Sequence, residues 1–298
     1  MINRRKLSIV LLIIASTGIS FGGLIMRSMN SADSWQVIFY RAFGFVITFT
    51  IILFLRYRNN FLKIIKKTGF KGLLGGLFYM TGNLLFLQSF ANTTIGNTLF
   101  TISAIPFITA IIAFFYLKEK IRIRTLLIMV AAFIGIFIMI KGGIESGDYF
   151  GNILALGCSF CFSIYILLIR KFRDIDMTPA SLIGGVFIVI VSFIVNKGDI
   201  NVPVEDIFLC ILWGAILNGF MNIVFIFTTK HLFASEVTFF MLIEFCLGPI
   251  WVWLFLNELM RTDSLIGGSI VLFCVALYSS LEIHNFKRLK SSNTNSSI

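Results

Sequence analysis

Acidic side chains are scarce in this chain, with 14 Asp and Glu among 298 residues, and all charged residues together make up only 13%. A water-soluble domain carries about 25% charged and roughly 45 to 50% apolar residues, so a soluble globular protein is excluded. Histidine occurs only at His231 and His284. The Cys158–Cys161 pair has redox spacing but no second Cys or His pair to complete a zinc site. All five cysteines (Cys158, Cys161, Cys210, Cys246, Cys274) lie in apolar runs, so no disulfide framework is expected. No Walker motif occurs, so ATP is not the direct energy source. No cofactor is expected.

What is present is apolar: 58% hydrophobic residues, 34 phenylalanines and a mean hydropathy of +0.95. A bilayer core about 30 Å thick needs about 20 mostly apolar residues per helix. On that measure the chain divides into ten segments, at 7–27, 36–55, 71–90, 95–116, 123–140, 151–169, 180–196, 207–228, 234–256 and 264–282. The expected fold is an all-α membrane protein of ten transmembrane helices. The first segment follows INRRK like a secretory signal, but signal cores run only about 7 to 15 residues, so it reads as an uncleaved helix. GISFG at 18–22 imitates a nucleophile elbow, yet it lies in that apolar segment rather than in a strand-to-helix turn.

The 25 Lys and Arg exceed the acids, a balance that in other settings suggests a nucleic-acid partner. Their placement argues for orientation instead. With the N-terminus inside, twenty fall in inside loops, and only Arg27, Arg41, Lys141, Lys197 and Arg261 fall outside. That asymmetry follows the positive-inside rule and places both termini in the cytoplasm. An inner-membrane location is expected, without nucleic acid, and residues 285–298 form a polar cytoplasmic tail ending in an unstructured SSNTNSSI.

The chain also repeats itself. A shift of 139 residues aligns Asn83 with Asn222, Phe86 with Phe225, Ser89 with Thr228, Leu117 with Leu256, Glu119 with Glu258 and Thr125 with Ser264, without a gap. A shift of 143 places Ser20 on Ser163 and Arg27 on Arg170. Two five-helix halves result, 1–143 and 144–284. Because five is odd, the second half enters the membrane inverted, an arrangement suited to alternating access.

The run NTTIGNTLFTISAIPFITAIIAFFYLKEKI and its echo HLFASEVTFFMLIEFCLGPIWVWLFLNELM resemble the paired EamA-type segments of the drug/metabolite transporter superfamily. The resemblance covers residues 5–284 and implies a secondary transporter. Lys118 and Asn257 stand where the family has Gly before Glu, and Phe245 stands where a Pro is expected, with Pro249 one turn later. Helix nine is therefore expected to kink at a shifted height.

Polar residues inside the apolar runs nominate a site. Glu244 lies at the middle of helix nine, where an acid costs on the order of 2.5 to 3.5 kcal/mol and faces the bundle interior or a wet cavity. Either it contacts a cationic group or a proton, or it fastens neighbouring helices. Tyr79 and Asn83 in helix three, and Asn218 and Asn222 in helix eight, form two i, i+4 stripes that the 139-residue shift relates. They are substrate contacts or interhelical glue worth roughly 0.6 to 2 kcal/mol. Arg41 either snorkels or pairs with Asp33, or else attracts an anion; Arg27 is expected to snorkel. Tyr165 and the Trp251–Trp253 pair line a pocket or pack against lipid, and Gly-Gly pairs such as Gly22-Gly23 and Gly184-Gly185 permit close helix packing.

The expected function is secondary transport of a small organic solute (a metabolite, amino acid or drug-like compound) by alternating access, with proton coupling, exchange or facilitated diffusion open. The alternatives are a lipid-carrier flippase component, or a membrane-embedded enzyme acting on lipid or prenyl groups. The enzyme needs a clustered carboxylate pair or a histidine at one membrane face, and the sequence offers none, so no catalytic residue is expected. The expected partners are the small-molecule substrate and membrane lipid. No sequence feature encodes the oligomeric state.

Overall fold

A computed structural model describes residues 4–118, 123–146, 148–172, 174–224, 232 and 234–295. In chain order the helices are α1 (Arg4–Ile19), α2 (Gly22–Arg27), α3 (Ser34–Tyr57), α4 (Phe61–Asn92), α5 (Ile95–Ile102), α6 (Ile105–Leu117), α7 (Ile123–Ser146), α8 (Tyr149–Lys171) and α9 (Thr178–Val195). Then come α10 (Val204–Leu212), which runs on into a π-helical segment, Trp213–Phe220, followed by α11 (Ala234–Leu256) and α12 (Thr262–Asn295). Among the described residues there is no strand.

Eight stretches are long and apolar enough to cross a membrane, and Phe240–Leu256 is a shorter apolar helix. One of the eight, Ser34–Asn92, is 59 residues long and contains two of the expected segments, separated by a 3₁₀ turn at Arg58–Asn60 and by non-helical Gly69. Large apolar side chains such as Leu55, Phe115, Phe137 and Phe273 are exposed, as lipid-facing residues are once every backbone group is satisfied within a helix.

The four non-glycine residues with positive φ among those described are Arg58, Lys118, Lys197 and Asn257. They form two pairs, Arg58 with Lys197 and Lys118 with Asn257, each separated by the same 139-residue shift that aligns the sequence. Left-handed backbone at a helix end favours glycine. Positive φ at Lys118 and Asn257 accords with the Gly that the resemblance implies at these two positions.

The regularity fails at three places. Between α1 and α2 the chain turns at Ser20 and Phe21, and between α5 and α6 it turns at Ser103 and Ala104. The equivalent parts of α8 and α11 are continuous. The α5–α6 turn accompanies Pro106, which has no N–H to donate. Serines from α8 supply partners there: Ser163 Oγ donates to the Ile105 carbonyl at 3.3 Å, and Ser159 Oγ lies 3.5 Å from the Thr101 carbonyl. In α11, by contrast, Pro249 is inside an unbroken helix. The third irregularity is the π segment, which has no counterpart in α4.

Packing follows the sequence's small residues. α4 lies against α8 and α9, α3 against α9 and the π segment, α7 against α12, and α1 and α2 against α11. At the α4–α9 contact, a Cβ on Gly184 would stand 2.7 Å from the Gly76 carbonyl oxygen, so these backbones touch.

Polar staples close the end of the bundle where α2 leads to α3. Buried Asp206, at the start of α10, accepts from the backbone N–H groups of Asn30, Ser31 and Ala32 at 3.1 to 3.2 Å. Arg27 does not snorkel. Its Nε donates to Glu258 at 2.8 Å and its Nη2 to the Thr93 carbonyl at 2.8 Å, while Glu258 also accepts from Ile95 N–H at 2.9 Å. The groups to satisfy there are the open N-terminus of α5, which the Glu258 carboxylate accepts from, and the carbonyl end of α4, to which the guanidinium donates.

The polar tail departs from expectation, because α12 continues to Asn295, so most of 285–298 begins as helix. The expected pairings through Glu119, Phe225 and Thr228, the loop bases Lys120, Arg122, Arg173 and Lys230, and His231 lie outside the described residues.

Candidate functional site

α3 opens with a capping box, in which the Asp33 carboxylate accepts from Trp35 N–H at 3.2 Å and the Gln36 side chain accepts from Asp33 N–H at 2.9 Å. Both devices satisfy open N-terminal donors, and they occupy Asp33. Two turns further in, Arg41 is 8% exposed. It neither snorkels nor pairs with Asp33, two of the arrangements expected for it. Its helix face carries Val37, Ile38, Ala42 and Phe45 into the core, and the guanidinium follows them inward.

Two amides receive it. Arg41 Nη2 donates to the Asn83 side-chain oxygen at 3.0 Å, and the Asn83 amide nitrogen donates to the Tyr79 carbonyl at 3.0 Å. That second bond fixes which end of Asn83 faces the cation. From the other side, Asn218 satisfies its surroundings when its amide oxygen faces Arg41, accepting from Nε at 2.7 Å and from Nη2 at 3.2 Å. Two rings complete the seat, with the guanidinium carbon 4.8 Å from the Trp213 ring centre and 5.9 Å from that of Phe86.

The π segment makes this geometry. Its i→i+5 bonding widens the helix, a device that recurs at functional sites, and it presents both Trp213 and Asn218 to α3. Only glycine fits at 214, because a Cβ there would lie 1.9 Å from the Arg41 carbonyl oxygen. On its far edge Trp213 rests on Gly22 of α2, where a Cβ would meet Nε1 at 2.8 Å.

Tyr79 and Tyr165 form the adjoining wall. Their ring centres are 5.3 Å apart, Tyr79 also meets Phe45 and Phe162, and the Tyr165 hydroxyl shares a 2.6 Å hydrogen bond with Ser181. The structure thus gathers Arg41, Asn83, Asn218, Tyr79 and Tyr165 into one place. It does not bring in Asn222, which is half-buried and has no hydrogen-bond partner among the described residues. Asn83 therefore meets Asn218 across Arg41 rather than its repeat counterpart Asn222.

Glu244 stands apart. No ion pair or hydrogen bond joins it to Arg41 or to any other described residue, and it is half-buried. It shares a face of α11 with Gly248 and Trp251 at i+4 and i+7. On that face Trp251 Nε1 donates to Ser20 Oγ at 2.9 Å, Phe21 stacks on Trp251 at 4.9 Å, and Gly248 approaches Leu99. Glu244 thus lies on the side of α11 turned toward the α1–α2 break, with no bond to a neighbouring helix among the described residues. The GISFG run is that break. Its Ser20 hydroxyl donates to the Thr17 carbonyl at 2.6 Å and accepts from Trp251, with no base beside it among the described residues.

Trp213 and Phe86 were not foreseen as site residues. A tryptophan in an apolar run reads as an interface anchor, and nothing in the sequence marks the π turn. The open groove between α7 and α12, lined by Leu127, Ile128, Phe273 and Leu277 among others, is apolar and forms no part of this cluster.

Residues 6–141 and 149–280 each match the model of the EamA-like transporter family. The chain belongs to this family. It is an integral membrane protein of a transporter family. A relative in Bacillus subtilis (strain 168), named an uncharacterized transporter, YyaM, is 26% identical over 203 residues, which span 63% of this chain and 62% of that protein. A solved crystal structure of another protein superposes on 91% of this chain and 97% of its own with a TM-score of 0.62 at 13% identity, a likeness of fold. In this EamA-like transporter the Arg41 cluster draws on both matched stretches, since Arg41 and Asn83 lie in the first and Trp213 and Asn218 in the second.

Proposed function

We propose that this transporter moves a small organic solute across the cytoplasmic membrane by alternating access, with its termini in the cytoplasm, and that the solute is handled at the Arg41 cluster. The observation that carries this reading is a buried cation held between amides from the two matched stretches. Moving one stretch against the other changes which groups surround the guanidinium. Rocking of related halves about a shared site is the mechanism that such repeats favour.

Energetics explains how the cation is held. Burying an ion costs on the order of several kcal/mol. A desolvated cation–π contact returns about 2 kcal/mol, and a hydrogen bond to a charged group about 1.5 to 3 kcal/mol. Three such bonds and two ring contacts offset that cost, so the seat holds a charge stably, and every partner that holds it is neutral.

A second reading concerns coupling. Glu244 has no partner among the described residues and is half-buried beside the α1–α2 break, which suits a carboxylate that exchanges a proton during the cycle. The test is Glu244→Gln in proteoliposomes under an imposed pH gradient. The reading expects the gradient to lose its effect on uptake, and unchanged gradient dependence removes Glu244 from coupling.

A further inference from the structure

We infer that the solute carries an oxyanion, a carboxylate or a phosphate, and that this group docks on the guanidinium of Arg41. The inference rests on the transport reading of this same site and names the chemical class of its solute.

Arg41 has five N–H donors on three nitrogens. Those of Nε and Nη2 are directed to Asn83 and Asn218, and Nη1 has no acceptor among the described residues. The acceptors it does have are neutral amide dipoles, and its remaining neighbours are the π faces of Trp213 and Phe86. The charge is therefore solvated in part and not neutralised.

Among the described residues no acid pairs with it, and three acids are committed elsewhere. Asp33 caps α3, Asp206 holds three loop amides, and Glu258 pairs with Arg27. Glu244 makes no ion pair with Arg41. An uncompensated guanidinium in a low-dielectric site attracts an anion strongly and repels a cation, and its planar fork matches carboxylate and phosphate geometry. Half-buried Phe86, with the tyrosine wall of Tyr79 and Tyr165 beside the guanidinium, adds apolar surface for the rest of an organic anion. A cationic solute would have to bring its charge against Arg41 with no acid paired to it among the described residues.

The test uses the purified full-length chain in detergent at fixed ionic strength. Its thermal unfolding midpoint is followed against lactate, succinate and inorganic phosphate, with glucose as the neutral control and choline as the cationic control. The expected result is a saturable rise with at least one anion and none with glucose or choline. Arg41→Gln should weaken that anion's half-saturation at least ten-fold, and Arg41→Lys should restore part of it. Asn83→Asp covers the case in which Arg41→Gln does not fold. It places a carboxylate where the amide oxygen already meets Nη2, so the protein should stay folded and lose the anion response. The inference is overturned if no anion raises the midpoint, if glucose or choline does so in place of the anions, or if Asn83→Asp responds like the wild type. Uptake of glucose or choline into proteoliposomes, unaltered by Arg41→Gln, would refute the anion class and leave transport standing. Absence of uptake for every probe would refute transport itself.

Discussion

Arg41 and Asn218 lie 177 positions apart in the chain, one in each stretch that matches the transporter family, and the Asn218 amide, with its oxygen turned to the guanidinium, accepts from Arg41 Nε at 2.7 Å. Asn83 grips the same guanidinium from α4 at 3.0 Å. If this cluster contacts solute, truncating either amide should act on affinity before it acts on folding. Asn83→Ala and Asn218→Ala are each expected to raise the half-saturation for uptake roughly ten-fold, on the order of 1.4 kcal/mol, with normal amounts of protein. Asn222→Ala should give a smaller rise. Lower protein amounts with unchanged affinity would make the amides interhelical glue.

The contact between α3 and the π segment depends on Gly214. A methyl group there would stand 1.9 Å from the Arg41 carbonyl oxygen, so Gly214→Ala must push two backbones apart. Overpacking of this kind costs about 1 to 3 kcal/mol. Thermal unfolding of the purified variant should show a clear loss of stability together with weakened uptake. A variant as stable as the wild type would mean that the close approach is not needed.

Arg27 and Glu258 tie α2 to the loop between α11 and α12, and Glu258 also satisfies the open N-terminus of α5 through Ile95 N–H. A partly exposed ion pair contributes roughly 0.2 to 1 kcal/mol, whereas the backbone acceptor role is separate from charge. Glu258→Gln keeps an acceptor and should lower the unfolding midpoint less than Glu258→Ala. Equal losses would show that the charge alone matters.

How much of this was legible beforehand differs from one residue to the next. Glu244, Asn83 and Arg41 stand out because polar groups in apolar runs are costly, and the 139-residue shift was readable from pairs such as Leu117 with Leu256. The left-handed Lys118 and Asn257 were visible as departures from glycine. The burial of Arg41 was not legible. Snorkelling and burial use the same side chain, and the choice depends on the neighbouring π segment, which nothing in Trp213–Phe220 announces. Proline was an incomplete guide, since Pro106 accompanies a broken helix and Pro249 lies in a continuous one. The α5–α6 break is completed by Ser159 and Ser163, residues 58 positions away from the carbonyls they approach.

At the junction of α8 and α9, burial raises the Asp176 pKa, but hydrogen bonds from Thr178 and Tyr57 and the charge of Arg56 outweigh it and leave the carboxyl below its ordinary 3.8. A depressed acid stabilises the fold at pH values above its unfolded pKa, and that contribution fades as the pH falls through the folded value. Asp176→Asn should therefore lower the unfolding midpoint at neutral pH and lose less of it than the wild type on acidification below about pH 4. Parallel acid profiles for the two proteins would contradict this.

Solute handling at the Arg41 cluster is tested most directly by uptake into proteoliposomes containing wild type or Arg41→Gln, with radiolabelled lactate, succinate, phosphate, glucose and choline as probes. The prediction is that wild type takes up at least one anion above protein-free vesicles and that Arg41→Gln does not. Uptake that is equal in the two proteins, or absent for every probe in the wild type, would contradict it.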